Sequence, residues 1–352
     1  MRIPRTSSIL RAGLLAASLS LGAACRATMP AQGTGGDARL DPAPPPPPAS
    51  LAPLVGEYGP DTAIIIVFER DGVLWLHPAG SVEAALAEVA PGRFTPLRND
   101  DGRSGVTFTQ DASGRATAMA IGARTLTRRR VGPEGGNQLV ITPVRPIVDV
   151  RREALAATPP AEAGPFRRAD LVELTRLDSS IKLDIRYATS NNLFGTPFYT
   201  QARAFLQRPA AEAVVRASAE LHRLGYGLLV HDGYRPWSVT KMFWDAAPPD
   251  KHGFVADPAL GSKHNRGEAV DITLYDLRTG APADMPSTYD ETTDRAAARY
   301  VGGTSRQRWH RDLLRRVMES QGFTVLPAEW WHFDYADWKS YAIGNVPFER
   351  IP

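Results

Sequence analysis

The sequence predicts an α+β protein in which a small antiparallel β domain precedes a larger domain of mixed helices and strands. Residues 54–145 contain short β-branched runs separated by turn signals. Residues 171–352 contain amphipathic helices and buried strands, without the regular βαβ alternation that a parallel sheet requires. At 352 residues the chain is long enough for two domains, and proline-rich stretches flank the first one.

Residues 1–24 are predicted to be an export signal. Three arginines within the first 11 residues precede an apolar stretch at 12–24, which is too short to span a bilayer but suits a signal peptide. Cys25, the only cysteine, follows small residues and resembles the lipidated cysteine of a bacterial lipobox. We therefore expect an exported, periplasmic lipoprotein that contacts the membrane only through Cys25. Ordinary cleavage near Ala24 is the alternative.

Residues 25–53 are predicted to be a tether, because they are rich in Gly, Ala and Pro and include five consecutive prolines at 44–48. The formal net charge is only +3, and the basic residues are scattered along the chain. The densest basic run, at 128–130, is typical of a solvated strand end. The sequence therefore gives no indication of a nucleic-acid partner.

The β domain at 54–145 is predicted from strands at 63–69, 73–77 and 106–110, with turns at 70–72, 99–102 and 113–114. Its Gly-Glu-Tyr and Asp-Gly-Val-Leu-Trp-Leu patterns resemble the small β domain appended to some exported β-lactamase-like serine hydrolases. It carries no recognisable catalytic constellation, so we expect a non-enzymatic role for it.

Residues 146–170 are predicted to be a linker around a short helical piece, and residues 171–352 form the second domain. Apolar periodicity predicts helices at 210–224 and 306–321, each ended by a glycine. Strands are predicted at 181–187, 226–230, 269–274 and 323–326, and residues 232–236 read as a turn.

Four residues of the second domain make up the parts of a catalytic zinc site. His264, Asp271 and His332 offer two imidazoles and a carboxylate, and Glu329 is a spare carboxylate three residues before His332. Three protein ligands, an open position for water and a general base are what a zinc hydrolase requires. Gly267 interrupts the first segment, so we expect His264 on a loop that turns back toward Asp271 on the following strand.

These motifs identify a family. Ser-x-His-x-x-Gly-x-Ala-x-Asp at 262–271, followed by Glu-Trp-Trp-His at 329–332, resembles the zinc-dependent D-alanyl-D-alanine dipeptidases associated with vancomycin resistance. Tyr-Ala-Thr at 187–189 and Asp-Gly-Tyr-Arg-Pro at 232–236 match further segments, and the resemblance covers about residues 171–348. The wider group includes zinc D,D-carboxypeptidases and shares its fold with the hedgehog signalling domain. The resemblance thus implies a hedgehog-like antiparallel sheet with helices.

The resemblance also implies a role for each matched residue. His264, Asp271 and His332 would bind one Zn²⁺ per chain, and Glu329 would act as general base and then acid. Arg235 would stabilise the oxyanion of the tetrahedral intermediate. Asp290 would accept the free ammonium group of a dipeptide, and Tyr187 and Ser262 would hold the substrate. A structural ion pair for Arg235 and a helix N-cap for Asp290 are the alternatives.

The predicted function is hydrolysis of D-alanyl-D-alanine to two D-alanines. Because the chain carries an export signal, salvage or turnover of cell-wall dipeptide fits better than drug resistance. Two alternatives are a D,D-carboxypeptidase that trims peptidoglycan fragments and a catalytically silent wall-binding lipoprotein. The second would be indicated by loss of Glu329 or of a ligand, and all four residues are present.

Overall fold

A computed structural model of the protein describes residues 42–97, 105–131 and 140–352. The predicted export signal, Cys25, most of the tether and the predicted turn at 99–102 lie outside these residues. Within them, no helix combines the length and the apolar composition that a membrane span needs. The lipid anchor and the periplasmic location stay predictions.

The N-terminal part is an eight-stranded antiparallel sheet in which each strand pairs with the next along the chain. The three strands predicted at 63–69, 73–77 and 106–110 are confirmed, with boundaries shifted by at most two residues. Alternate side chains on one face of the sheet, including Tyr58, Val67 and Met119, are fully buried. The strands are β1 Gly56–Tyr58, β2 Ile65–Arg70, β3 Val73–Pro78, β4 Ala84–Ala90, β5 Arg93–Pro96, β6 Val106–Gln110, β7 Ala116–Ile121 and β8 Arg124–Thr127.

The second part combines five helices with a five-stranded sheet, which confirms the predicted α+β class. All pairs in this sheet are antiparallel except the outer pair β10–β12, and the strand order is β10-β12-β13-β15-β14. Two short strands, β9 and β11, pair separately. The strands are β9 Leu171–Glu173, β10 Lys182–Leu183, β11 Phe205–Gln207, β12 Tyr226–Asp232, β13 Ala269–Asp276, β14 Phe323–Leu326 and β15 Glu329–Tyr335.

The two long helices are close to their predicted positions. Helix α5 begins with a capping box, in which the Thr304 hydroxyl accepts from the Gln307 backbone and the Gln307 side chain accepts from Thr304. The short helix inside the predicted linker is also present and packs against α4. The helices are α1 Ile147–Ala156, α2 Leu174–Leu177, α3 Arg208–Arg223, α4 Trp237–Ala246 and α5 Ser305–Ser320.

One prediction is wrong, and several elements were not predicted, among them α4 and β15. The strand expected at 181–187 is only Lys182–Leu183, because the chain turns into a 3-10 helix at Arg186–Ala188 that buries Tyr187. Helix α4 was missed because most of its residues are buried, so it shows no polar stripe. Strand β15 contains the Glu-Trp-Trp-His motif, but no strand was predicted at this position. Residues Pro42–Pro352 form one compact unit, so the division into two domains stays a prediction.

Candidate active site

Asp271 and His332 face each other across the central strands of the second sheet. They are direct partners in the β13–β15 register, with Oδ1 of Asp271 3.0 Å from Nδ1 of His332. Both side chains lie on the same face, because partners in an antiparallel pair project to the same side. The sheet therefore brings together two residues that are 61 positions apart in the chain.

His264 reaches the same point from a 3-10 turn at His264–Arg266. Gly267 ends this turn with a φ of 71°, which favours glycine, and a Cβ there would lie 2.7 Å from the Leu171 side chain. The chain can therefore double back into β13 as the sequence predicts. Nε2 of His264 lies 3.2 Å from Nδ1 of His332 and 3.5 Å from Oδ1 of Asp271.

Each of these three side chains is held by a second partner on its far side. Nδ1 of His264 lies 2.7 Å from the Gly233 carbonyl, and Nε2 of His332 lies 2.9 Å from Oδ1 of Asp334. The Tyr289 hydroxyl donates to Oδ2 of Asp271 at 2.9 Å. These outer contacts leave one nitrogen on each histidine, and Oδ1 of Asp271, directed at a common point.

The donor set fits zinc. Three donors at 2.0–2.2 Å from one tetrahedral ion are about 3.3–3.6 Å apart, and the three distances here are 3.0–3.5 Å. When the outer nitrogens of both imidazoles carry their hydrogens, the two inner nitrogens and Oδ1 of Asp271 direct lone pairs at one point. These lone pairs repel one another unless a cation lies between them. Outer hydrogen-bond partners of this kind fix the tautomer and orientation of metal-binding histidines.

The electrostatics of the protein groups favour a bound cation. Burial opposes ionisation of Asp271, but the adjacent His264 and His332 outweigh it and hold the pKa of Asp271 well below its ordinary value. Burial likewise disfavours the His332 imidazolium, yet Asp271 and Asp334 raise its pKa to about 10. The site therefore attracts positive charge, either a proton on Nδ1 of His332 or a metal ion that replaces it.

Glu329 lies beside the cluster because β15 is irregular at its start. Residues three apart on a regular strand point to opposite faces. Here Val325 pairs with Phe333 but the next residue, Leu326, pairs with Glu329, so the strand register shifts between these two pairs. This bulge places Glu329 on the same side of the strand as His332. One carboxylate oxygen of Glu329 is 4.0 Å from Nδ1 of His332. Desolvation raises the pKa of Glu329, which suits a group that exchanges protons.

Arg235 is buried in the turn after β12. Its Nε and Nη2 donate to Oδ2 of Asp232 at 3.0 and 2.7 Å, and Asp232 outweighs burial and keeps the pKa of Arg235 well above its ordinary value. The guanidinium lies 5.3 Å from the ring centroid of Tyr187. The ion pair that was the alternative role predicted for Arg235 is thus present. Because Asp232 accepts from Nε and Nη2, Nη1 can donate to a substrate oxygen.

Asp290 and Tyr187 meet next to Glu329. The Tyr187 hydroxyl donates to both carboxylate oxygens of Asp290, at 3.2 and 3.3 Å. Asp290 is not a helix N-cap, and its φ of 59° is strained for a residue other than glycine. Burial, with Asp271 and Glu329 nearby, raises its pKa to about 8. Such a carboxylate gains from a cationic partner.

Ser262 lies at the edge of this arrangement. Its hydroxyl accepts from the Asn265 backbone at 3.2 Å, and its own backbone N–H donates to Oδ1 of Asn265 at 2.8 Å. These contacts cap the turn that carries His264. No described contact tests its predicted role in substrate binding, which stays a prediction.

The outer partners were not identified from the sequence. Asp334 could have been found, since it lies two residues after His332 and would share its strand face. Asp232 lies inside the Asp-Gly-Tyr-Arg-Pro motif, although nothing in the motif says that it pairs with Arg235. Tyr289 carries no local signal, because it reaches Asp271 from a separate loop.

A cavity of about 310 Å³ opens over Asp290 and Glu329, with Trp331 and the half-exposed Phe254 among its walls. It provides room for a small substrate next to the metal cluster. A larger cavity of about 670 Å³ lies between the eight-stranded sheet and residues 276–310, and it contains none of the predicted catalytic residues.

Comparison with known proteins agrees with this geometry. A model of the Peptidase_M15 family, described as D-ala-D-ala dipeptidase, matches residues 167–346. A D-alanyl-D-alanine dipeptidase of Escherichia coli K12 is 32% identical over 174 residues, which are 49% of this chain and 89% of that protein. The D-alanyl-D-alanine dipeptidases of Enterococcus faecalis V583 and Enterococcus faecium are 35% and 32% identical, over 45% and 47% of this chain and 87% and 90% of theirs.

Proposed function

The chain belongs to the D-Ala-D-Ala dipeptidase family of peptidases, and on that premise we propose that it hydrolyses D-alanyl-D-alanine to two D-alanines with one bound zinc ion. The observation that carries the proposal is the convergence of His264, Asp271 and His332 on one point, with Glu329 4.0 Å from His332 and a half-buried acidic acceptor, Asp290, beside it. The fold is proposed to be the hedgehog-like arrangement that the family shares.

His264, Asp271 and His332 would hold the zinc ion through Nε2, Oδ1 and Nδ1. When bound, zinc acts as a Lewis acid and lowers the pKa of a coordinated water. Glu329 would take the proton from the attacking water and pass it to the nitrogen of the departing D-alanine. Its raised pKa suits both transfers, because a general base and acid works best near the working pH.

Arg235 would stabilise the negative charge that develops on the carbonyl oxygen of the scissile bond. Asp232 occupies Nε and Nη2 of the guanidinium, so Nη1 would point to the substrate. The rigid ion pair supports this role, because a preorganised donor needs no reorientation during the reaction. Loss of one such donor costs about 10²–10³ in kcat.

Asp290 and Tyr187 would select a substrate with a free amino terminus. The ammonium of the dipeptide would meet the Asp290 carboxylate, whose pKa of about 8 in the absence of a cation would fall on ion pairing. An ion-pair partner that is partly shielded from solvent discriminates between substrates, since a substrate without the ammonium leaves the carboxylate unpaired. This feature favours a dipeptidase over a carboxypeptidase that acts on stem peptides.

The predicted export signal and Cys25 support a role in the turnover or salvage of cell-wall dipeptides by a membrane-anchored periplasmic enzyme. Peptidoglycan fragments that end in D-Ala-D-Ala are the second substrate class.

The test is D-alanine release by the zinc-loaded protein from free D-Ala-D-Ala and from a muropeptide that ends in D-Ala-D-Ala. We expect turnover of the free dipeptide. Release mainly from the muropeptide would assign a carboxypeptidase, and absence of release from both substrates would favour the wall-binding alternative. A sample stripped of zinc by a chelator and then reloaded serves as the control for metal dependence.

A further inference from the structure

The eight-stranded sheet lies outside the residues that match the family model, yet it contacts the loop that carries the predicted ammonium site. We define the recognition loop as residues 284–304, which lie between β13 and the start of α5 and contain Tyr289 and Asp290. We infer that the sheet is a positioning element of the active site, and that Glu57 and Glu69 anchor the far end of the recognition loop and so hold Asp290 in place. The inference rests on the proposed function.

Glu69, on β2, is the centre of this anchor and is only 2% exposed. Its Oε2 accepts from the backbone N–H of Ser305 at 2.8 Å, at the first turn of α5, where a negative charge is favourable. Its backbone N–H donates to the Gly303 carbonyl at 3.1 Å, and its own carbonyl accepts from Arg308 at 2.7 Å. Glu69 thus binds both sides of the junction between loop and helix.

Glu57, on the neighbouring strand β1, forms a second contact and is 5% exposed. The Tyr300 hydroxyl donates to it at 2.8 Å, and Arg129 pairs with its other oxygen at 3.1 Å. A Cβ on Gly302 would lie 2.3 Å from the Tyr300 ring, so the junction is closely packed. Removing Glu57 would leave the buried Tyr300 hydroxyl without this acceptor, which is costly.

The remainder of the recognition loop is braced from within, so the anchored end is connected to Asp290. Arg295 donates to the Pro286 carbonyl at 2.8 Å, and its Nε lies 3.6 Å from the Glu291 carboxylate, so it links the two sides of the Asp290 segment. Between Arg295 and the anchor, the Ala298 N–H bonds to the Pro327 carbonyl at 3.0 Å.

Asp290 is the residue that depends most on this bracing. A side-chain-bearing residue at a φ of 59° is strained, and it stays there only when the surrounding structure enforces it. Release of the anchor would allow the segment to relax. Relaxation would move the Asp290 carboxylate away from the substrate ammonium, while His264, Asp271 and His332 stay on their strands and turn.

The experiment compares Glu69→Ala and Glu57→Ala with the wild type in the zinc-loaded full chain. The readout is the ratio of kcat/KM for D-Ala-D-Ala to that for N-acetyl-D-Ala-D-Ala, which lacks the ammonium. If turnover of the acetylated dipeptide is too slow to follow, its binding is measured instead as inhibition of D-Ala-D-Ala hydrolysis. We expect the ratio to fall at least about threefold, with KM rising more than kcat falls and with zinc content unchanged.

Three further variants separate positioning from stability. Glu69→Gln keeps one side-chain acceptor oxygen, which can still accept from the Ser305 N–H, and should recover part of the wild-type ratio. Glu83→Ala removes a surface pair with Arg70 on the same part of the sheet and should leave the ratio unchanged. Leu86→Ala weakens the buried core of the sheet without touching the junction, so it should lower Tm but keep the ratio.

A lower fraction of folded protein would reduce the measured kcat/KM for both substrates by the same factor and leave their ratio unchanged. An unchanged ratio and KM in folded Glu69→Ala would overturn the inference, as would an equal shift in Leu86→Ala. Failure of the wild type to release D-alanine from D-Ala-D-Ala would instead overturn the proposed function, and the inference with it.

Discussion

Oδ1 of Asp334 lies 2.9 Å from Nε2 of His332, which precedes it by two residues on β15. The spacing puts both side chains on one strand face, and Lys263 holds the other oxygen of Asp334 at 2.5 Å. Asp334 therefore fixes the ring orientation of His332 and leaves Nδ1 for the proposed metal ion. Such partners contribute strongly to metal affinity although they do not touch the ion.

Replacing Asp334 by Ala should lower zinc affinity about 10–100-fold, because His332 loses the partner that orients it and raises its basicity. Competition with a chromophoric chelator would measure the change. Asp312→Ala, in a partly exposed pair on α5, is the matched control and should bind zinc like the wild type. Equal affinity in both variants would contradict the role assigned to Asp334.

Replacing Glu329 by Ala should leave zinc bound and reduce turnover of D-Ala-D-Ala by about 10²–10⁴, the usual range for a general base. The reason is that Glu329 lies next to the predicted metal ligands without occupying one of the three converging positions. Metal analysis and D-alanine release on the same sample provide the check. Glu319→Ala, on the exposed side of α5, is the control, and activity that survives in Glu329→Ala would rule out the mechanism.

Replacing Asp290 by Asn should lower kcat/KM for D-Ala-D-Ala about 10–100-fold, mainly through KM. The change removes a charge-assisted bond worth about 1.5–3 kcal/mol, while asparagine tolerates the left-handed backbone at this position. Steady-state kinetics with the free and the N-acetylated dipeptide would show whether only the first is affected. Glu319→Gln, exposed on α5 and away from the cavity, should change neither substrate.

Glu268 should make the protein less stable as the pH rises. It is fully buried, burial with Asp337 nearby raises its pKa to about 9, and neither oxygen has a hydrogen-bond donor among the described residues. The folded state therefore binds the proton more tightly than the unfolded state, whose pKa is near 4.5. The stability from this group is complete below pH 4.5 and is lost as the pH rises toward 9.

Thermal unfolding of the wild type and of Glu268→Gln across pH 5–9 would check this dependence. We expect Tm of the wild type to fall over this range relative to the variant, which cannot ionise at this position. Glu319→Gln provides an exposed comparison that should follow the wild type. Parallel curves for the wild type and Glu268→Gln would show that another group dominates the pH dependence.

The sequence by itself identified the candidate site residues of this protein and several of its long elements. His264, Asp271, His332 and Glu329 could be named as candidates in advance, because the proposed zinc hydrolysis requires particular residue types and the family motifs carry them at recognisable spacings. Amphipathic helices such as α3 and α5 were also predictable, since a helix that buries one face shows that face as a period of 3.6 residues.

Only the tertiary structure decided how those residues are held. The contact between Asp271 and His332 depends on the register of strands from distant segments, and the position of Glu329 beside His332 depends on an irregularity in the pairing of β14 with β15. The largely buried α4, the Tyr289–Asp271 bond and the contacts of Glu57 and Glu69 with residues 300–308 arise from packing between segments that are apart in the chain. Local sequence carries no record of such contacts, because each depends on residues far away in the chain.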